Sequence, residues 1–413
     1  MPVRRLTASL AAVLVIAGLA GSAVRVLAHE RSELEHESEP RTLAALAGAA
    51  GSTRVSARLS TVELQAGEHA LFELCARDRL EPARWLQAFE LAVFRLPDMH
   101  LMLRVPLDAA HLQTVRRNDA GACLRLGGGL IERAGRYSID AVWPARPPNA
   151  ELRGVELQAR VLAIRPLSTL DRAFVLAAGV GAVLLLLALL ARPDDPAVDG
   201  GAAARADARP LLLAAVGVAA LVLATRIPTA GASMTLVKGF GLVLLQAGGA
   251  LALGRSAWPA TARTALAFAR PQRVLFWLAG ALATAVLLVL TAHLALRLVP
   301  ATSEAPIQSF VSWPSGMLCF AALGVVLPLG EELFFRGYLY RAALGFGRAA
   351  AFAITCALFV ALHAEQSWGN WGGLVSVATA GLALTGLRAL SGSVLIPALA
   401  HVLYNFTLSM ASF

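Results

Sequence analysis

The sequence predicts a polytopic α-helical membrane protein of about eight transmembrane helices, preceded by an N-terminal exported β-sandwich-like domain. Three observations support this prediction. The chain is 57% hydrophobic and 15% charged, with a mean hydropathy of +0.64, which excludes an ordinary soluble protein. Short alternating runs fill residues 54–168, and long apolar stretches follow from residue 172 onward. The net charge of +9 comes from arginines that mostly flank apolar segments, so it indicates membrane topology and not nucleic-acid binding.

The first residues have the form of an export signal. Residues 1–28 are predicted to be a signal peptide or an N-terminal anchor, because Arg4 and Arg5 precede an apolar run that ends near Ala28. Both alternatives export the chain beyond residue 28, since the arginines stay inside. Residues 29–53 are polar and show little periodicity, so we expect a flexible linker there.

Residues 54–168 are predicted to form an exported β-rich domain. Gly and Pro separate short strand-like runs at roughly ten-residue spacing, a pattern typical of a small sandwich. Cys75 and Cys123 are a disulfide candidate, because disulfides persist in exported domains. The domain has no catalytic constellation, so we expect an interaction or accessory role with an exported partner. The predicted runs are Val55–Leu64, Ala70–Ala76, Phe89–Phe94, Cys123–Leu126, Tyr137–Val142 and Val155–Ile164.

Eight apolar stretches predict membrane-spanning helices, in an N-terminal group at 172–296 and a C-terminal group at 315–411. Loop 254–273 carries four arginines and no acidic residue, so the positive-inside rule places it in the cytoplasm. We therefore predict a multi-pass protein of the cytoplasmic (inner) membrane with an extracytoplasmic N-terminal domain. Arg388 is expected to anchor the inner end of its helix. The stretches lie at 173–191, 210–225, 235–253, 274–296, 315–344, 350–365, 372–389 and 393–411.

Two adjacent glutamates interrupt the fifth stretch, and carboxylates at membrane depth are costly enough to indicate a functional site. Glu332 and Arg336 are four residues apart and share a helix face, so we expect them to pair. Glu331 points about 100° away and stays available for chemistry.

The number of residues from the predicted turn indicates that Glu331 and a histidine on the next helix, His363, lie at similar depth. Glu331 lies fourteen residues before Gly345, and His363 lies fifteen after Arg348, with a turn predicted between them. At about 1.5 Å per residue, an antiparallel hairpin brings both to similar depth. In the last stretch His401 and Asn405 are four apart and share one helix face.

The pattern of Glu331, Glu332 and Arg336, then Phe359 and His363, then His401 and Asn405 resembles the CAAX-protease and bacteriocin-processing (CPBP, also Abi) family of intramembrane endopeptidases. The resemblance covers about residues 315–411. It implies that Glu331 activates a water assisted by His363, that His401 and Asn405 stabilise the oxyanion, and that Glu332 and Arg336 give structural support.

The resemblance also bears on cofactors and partners. It implies a membrane-associated protein or peptide substrate reached within the lipid bilayer. We expect no cofactor and no metal, because the sequence lacks His-Glu-x-x-His. Zinc held by Glu331, His363 and His401 is the alternative, since two histidines and a carboxylate form a known zinc set.

Two other classes of protein remain open from the residues alone. The first is a transporter or ion-coupled membrane protein that uses the intramembrane Glu, His and Arg side chains. The second is a membrane-anchored binding module, in which the β-rich domain captures an exported partner.

Overall fold

The computed structural model describes residues 2–42, 55–76, 90–106, 115–118, 121–143, 156–191, 208–229, 231–259, 265–302, 306–311 and 313–412. They divide into two compact units. One unit comprises residues 31–166, and the other comprises residues 1–30 together with 167–413.

The unit at residues 31–166 consists of two antiparallel sheets. In the first, the strands follow the order β1-β10-β4-β8-β7, and β2 also pairs with β10. In the second, the order is β3-β9-β5-β6. The strands are β1 (Leu34–Glu37), β2 (Arg41–Thr42), β3 (Val55–Leu64), β4 (His69–Ala76), β5 (Glu90–Arg95), β6 (His100–Pro106), β7 (Val115–Asn118), β8 (Gly121–Leu130), β9 (Gly135–Trp143) and β10 (Glu156–Ile164).

Over its described residues, each run that the sequence predicts as a strand lies in one of these strands, because alternation along a half-buried strand leaves a clear pattern. Phe89 and Val155, the first residues of two runs, lie outside the described residues. Phe72, Leu74, Val93 and Val161 are fully buried in the unit's interior. Cys75 is in a disulfide, and the strand register places Cys123 directly opposite it.

The flexible linker predicted at residues 29–53 is wrong in its first part. The N-terminal helix continues to Ser32, and β1 and β2 both pair with β10. These strands are polar and form through backbone hydrogen bonds to β10, more than a hundred residues away along the chain. The pattern of apolar residues in a short segment gives no sign of such a distant partner. Residues 43–53 of that prediction lie outside the described residues.

The second unit is helical. Seven described helices are long and apolar enough to cross a membrane by length and composition, and two shorter apolar helices accompany them. Seven of the eight predicted stretches each correspond to one helix to within a few residues, and the stretch 315–344 covers two α-helices with a π-helical segment between them. The helices are α1 (Pro2–Ser32), α2 (Thr169–Leu190), α3 (Ala208–Thr225), α4 (Gly231–Ala257), α5 (Val274–Leu298), α6 (Pro306–Val311), α7 (Pro314–Glu332), α8 (Tyr340–Ala343), α9 (Arg348–Ser367), α10 (Trp371–Ser391) and α11 (Leu395–Ser412).

Helix α1 is joined to the rest of this unit by polar contacts at its C-terminal end. Arg25 Nε donates to Asp171 Oδ1 at 2.6 Å, and His29 Nε2 lies 3.1 Å from Asp171 Oδ2. Both His29 and Asp171 are buried. The backbone N–H of Ser233 on α4 donates to Glu30 Oε2 at 3.2 Å. These contacts tie residues on both sides of the predicted boundary at residue 28 to two other helices.

Helices α1 and α2 also approach each other closely. A Cβ atom added at Gly18 would lie under 3.0 Å from the backbones of Phe174 and Ala178. Glycine is therefore needed at this position for the observed spacing, as is typical where transmembrane helices pack tightly.

Candidate active site

The glutamate pair lies at the end of α7, where the helical geometry changes. Pro328 within α7 has no N–H to donate to the preceding turn. A π-helical segment, Leu333–Leu339, begins immediately after Glu332 and leads into α8. Single π-helical turns inside α-helices occur frequently at functional sites. Arg336 lies in this segment, and every side chain in it is buried.

A tight turn returns the chain toward the glutamates. A 3₁₀ turn at Leu344–Phe346 is followed by Gly347 with φ of 98°, a conformation that favours glycine, and α9 begins at Arg348. The hairpin brings His363 Nε2 to 3.7 Å from Glu331 Oε1. His401 of α11 approaches the other oxygen, with Nε2 at 3.9 Å from Glu331 Oε2. Glu331 therefore lies between two histidines from two different helices.

Both histidines are held through their Nδ1 atoms. His363 Nδ1 lies 2.7 Å from the Phe359 carbonyl oxygen, which can only accept, so Nδ1 carries the proton. His401 Nδ1 lies 2.8 Å from Glu332 Oε1. In each histidine it is Nε2 that faces Glu331. Hydrogen bonding at one ring nitrogen fixes the orientation of the other, so the two Nε2 atoms are aimed at the same carboxylate.

Glu332 has two partners and not one. Its Oε1 accepts from Arg336 Nη1 at 2.9 Å as well as from His401. The side chains of Glu332 and Arg336 are fully buried. Among the described residues, Glu332 Oε2 has no hydrogen-bond partner. The expected pair of Glu332 with Arg336 is thus extended to a third residue that also contacts Glu331.

Exposure changes across the site. The side chains of Glu332 and Arg336 are 0% exposed, whereas those of Glu331 and His363 are 10% and 19% exposed. The ring of Phe359 lies between the two regions, 4.2 Å from the Arg336 guanidinium carbon and 4.4 Å from the His363 ring. Glu331 and His363 are therefore partly accessible from outside the bundle, while the ion pair is enclosed.

Asn405 is not brought into hydrogen-bond contact with the other predicted site residues. Within the described part of the chain its side chain has no hydrogen-bond partner, and its carbonyl accepts from Ser409 Oγ at 2.8 Å. Its Cβ lies beside Gly324, near α7. The amide is therefore available to a ligand.

Three residues of α10 were not predicted as part of the site. Arg336 Nε donates to Thr385 Oγ1 at 3.3 Å, and Arg336 Nη2 donates to the Gly381 carbonyl at 3.4 Å. Arg388 is buried and donates from Nε to the Arg336 carbonyl at 2.9 Å, so it does more than anchor a helix end. The signal available in the sequence is the spacing i, i+4, i+7, which puts the three on one helix face.

The distances between Glu331, His363 and His401 can be compared with those of a zinc site. Among the described residues, no group of three or more His, Cys, Asp and Glu is arranged to hold a metal ion. Ligand atoms on one tetrahedral zinc lie about 3.3 Å apart, given bond lengths of about 2.0–2.1 Å. The separations of Glu331 from His363 and His401, at 3.7 and 3.9 Å, are wider than that. The metal-free site therefore stays our prediction, with zinc as its alternative.

Comparison with known proteins finds a family similarity for the segment that contains this site. Residues 312–407 match the family model described as type II CAAX prenyl endopeptidase Rce1-like. The match contains every predicted site residue and covers about a quarter of the chain. It confirms the resemblance to the CPBP family for this segment. No curated protein and no solved structure matches the chain.

Proposed function

We propose, from the premise that residues 312–407 form a CPBP-family domain of the Rce1-like type, that Glu331 is the base of an intramembrane endopeptidase. The Rce1-like match supports a CAAX-type intramembrane endopeptidase in general. The observation that carries the assignment to Glu331 is its position between two imidazole Nε2 atoms, at 3.7 and 3.9 Å. These separations are too long for direct hydrogen bonds and leave room for a water that contacts several of these groups.

The proposed first step is attack by water. Glu331 removes one proton from the water, whose oxygen forms a bond to the peptide carbonyl carbon. His363, held by the Phe359 carbonyl, orients this water. The carbonyl oxygen gains the electron pair of the broken π bond and becomes an oxyanion.

The oxyanion needs donors placed where the charge develops. His401 is the first donor, through the Nε2 atom that faces Glu331. The Asn405 amide, which has no hydrogen-bond partner among the described residues, is the second donor. The tetrahedral intermediate then collapses, the C–N bond breaks, and the proton held by Glu331 passes to the leaving nitrogen.

The substrate we propose is a membrane-associated protein or peptide. Glu331 and His363 lie on helices long and apolar enough to cross a membrane, and His401 lies on a shorter apolar helix, so we place the scissile bond within the bilayer. We place the protein in the cytoplasmic membrane with residues 31–166 outside, on the arginine distribution. In this arrangement the β-rich unit is available to an exported partner.

A comparison of two glutamate variants tests the assignment. Glu331→Gln removes the base, whereas Glu365→Gln alters an exposed glutamate at the end of α9 that pairs with Arg226 at 2.9 Å. In membranes from cells producing each form, we expect C-terminal fragments of membrane proteins to be lost only with Glu331→Gln. On a farnesylated CAAX peptide with a fluorophore and quencher, the same variant should lose about 1,000-fold in rate. Cleavage by Glu331→Gln at the wild-type rate would contradict the proposal.

A further inference from the structure

We infer that the face of α10 formed by Gly381, Thr385 and Arg388 positions His401, acting through Arg336 and Glu332. The inference rests on the proposed function of His401 as an oxyanion donor. Helix α10 carries none of the predicted site residues, so its role would be to position His401 and not to contact the substrate.

The first step of the argument concerns Arg336. Its guanidinium is fully buried, so it needs partners to offset the loss of hydration. Two of its hydrogen bonds go to α10, to Thr385 Oγ1 at 3.3 Å and to the Gly381 carbonyl at 3.4 Å. The planar guanidinium fork makes these contacts directional. Helix α10 therefore sets the plane in which the third contact, to Glu332, is made.

The second step is the transfer from Arg336 to His401. Arg336 Nη1 and His401 Nδ1 meet the same atom, Glu332 Oε1, at 2.9 and 2.8 Å. Both groups contact the same oxygen of Glu332. If the Arg336 guanidinium moves, the Glu332 carboxylate moves with it, and so does the His401 ring that is bound to this carboxylate. The Nε2 atom that faces Glu331 then moves with the ring.

Arg388 fixes the main chain of the same residue. Its Nε donates to the Arg336 carbonyl at 2.9 Å, inside the π-helical segment. Its guanidinium carbon lies 5.2 Å from the centre of the Tyr340 ring. Thr385 thus holds the side chain of Arg336, and Arg388 holds its backbone.

Variants of Thr385 test this chain of contacts in the full-length protein in lipid nanodiscs. Thr385→Val removes the hydroxyl at nearly constant volume, and Thr385→Ser keeps it. Thr379→Val is the matched control, because Thr379 on the same helix donates only to its own-helix Val375 carbonyl. With the farnesylated CAAX peptide as probe, we expect Thr385→Val to lower kcat about tenfold with little change in KM. Thr385→Ser should restore most of the rate, and Thr379→Val should leave it unchanged.

A double-mutant cycle separates positioning from a general effect on the fold. If Thr385 acts through Glu332, the Glu332→Gln variant should lose little more on addition of Thr385→Val. Additive losses would overturn the inference. Equal rates for Thr385→Val and Thr379→Val would overturn it as well.

The ¹⁵N NMR resonances of His401 test its positioning without any measurement of activity. The ¹⁵N resonances of His401 can be assigned by their absence in His401→Asn. Thr385→Val should shift them and Thr379→Val should not, whereas unshifted His401 resonances in Thr385→Val would overturn the inference. If Glu331→Gln cleaves at the wild-type rate, the proposed function fails, and these resonances still decide whether α10 positions His401.

Discussion

His401 Nδ1 lies 2.8 Å from Glu332 Oε1, a buried contact between residues that are 69 positions apart in the chain. It joins the proposed oxyanion donor of α11 to the ion pair at the end of α7. The two adjacent glutamates are therefore linked through one imidazole ring, which contacts Glu332 with Nδ1 and faces Glu331 with Nε2.

The two glutamates are predicted to respond differently to the same substitution. Glu332→Gln leaves the buried Arg336 with a neutral partner, and breaking a buried ion pair costs about 3–5 kcal/mol. We expect a lower melting temperature and at least a hundredfold loss of peptide cleavage. Glu331→Gln should abolish cleavage but keep the melting temperature, because no group lies within hydrogen-bond distance of its carboxylate among the described residues. Thermal unfolding and cleavage measured on both variants check this, and equal melting temperatures would count against it.

Activity is expected to be independent of bound metal. The separations around Glu331 are wider than a tetrahedral zinc site requires, so cleavage should survive extended treatment with a strong chelator. The zinc content of the purified protein, measured by mass spectrometry, should be far below one ion per chain. Stoichiometric zinc, with activity lost on chelation and regained on zinc addition, would overturn the metal-free proposal.

Helix α1 is predicted to stay attached to the protein. Cleavage after residue 28 would remove Arg25 and separate the helix from His29 and Glu30, which hold α2 and α4. The intact mass of the purified protein should therefore include residues 1–28. Asp171→Asn should lower the melting temperature, because it weakens the contacts to Arg25 and His29. A mature chain that begins at His29 would show instead that the segment is a signal peptide.

The stability of the β-rich unit is predicted to depend on Asp140 in β9. Burial raises the pKa of this carboxyl, and the Ser138 hydroxyl and the half-exposed Arg58 offset the rise only in part. The folded pKa then lies above the unfolded value of about 3.9. The stabilising contribution of protonated Asp140 is full below that value and is lost as pH rises through the folded pKa.

Asp140→Asn should therefore protect β9 more strongly at neutral pH and reduce the dependence of its stability on pH. Hydrogen exchange of β9 in the full-length protein, corrected for intrinsic rates, measures this. Asp98→Asn is the contrasting variant, because Arg95 lowers the pKa of the exposed Asp98 and the same substitution gives no stabilisation there. Weaker protection of β9 in Asp140→Asn would contradict the prediction.

Much of the architecture can be predicted from hydropathy and periodicity. The helix bounds agree with the predicted stretches to within a few residues, and six strands were predicted from alternation alone. Four strands, β1, β2, β6 and β7, were not predicted. Of these, β1 and β2 are polar and depend on pairing with a distant strand. The contacts of α10 were missed because Gly381 and Thr385 are small residues common in transmembrane helices. The link between His401 and Glu332 depends on side-chain orientation, which spacing does not determine.

The hairpin between α7 and α9 determines how far apart Glu331 and His363 lie. From the turn at Leu344–Gly347, one arm runs back through the π-helical segment to Glu331 and the other runs forward along α9 to His363, and the two side chains lie 3.7 Å apart. One residue inserted into either arm would move one of them by about 1.5 Å along the helix and rotate it by about 100°. The number of residues in each arm is therefore fixed by the chemistry at its end, and within the turn it is Gly347, with its φ of 98°, that favours one residue type.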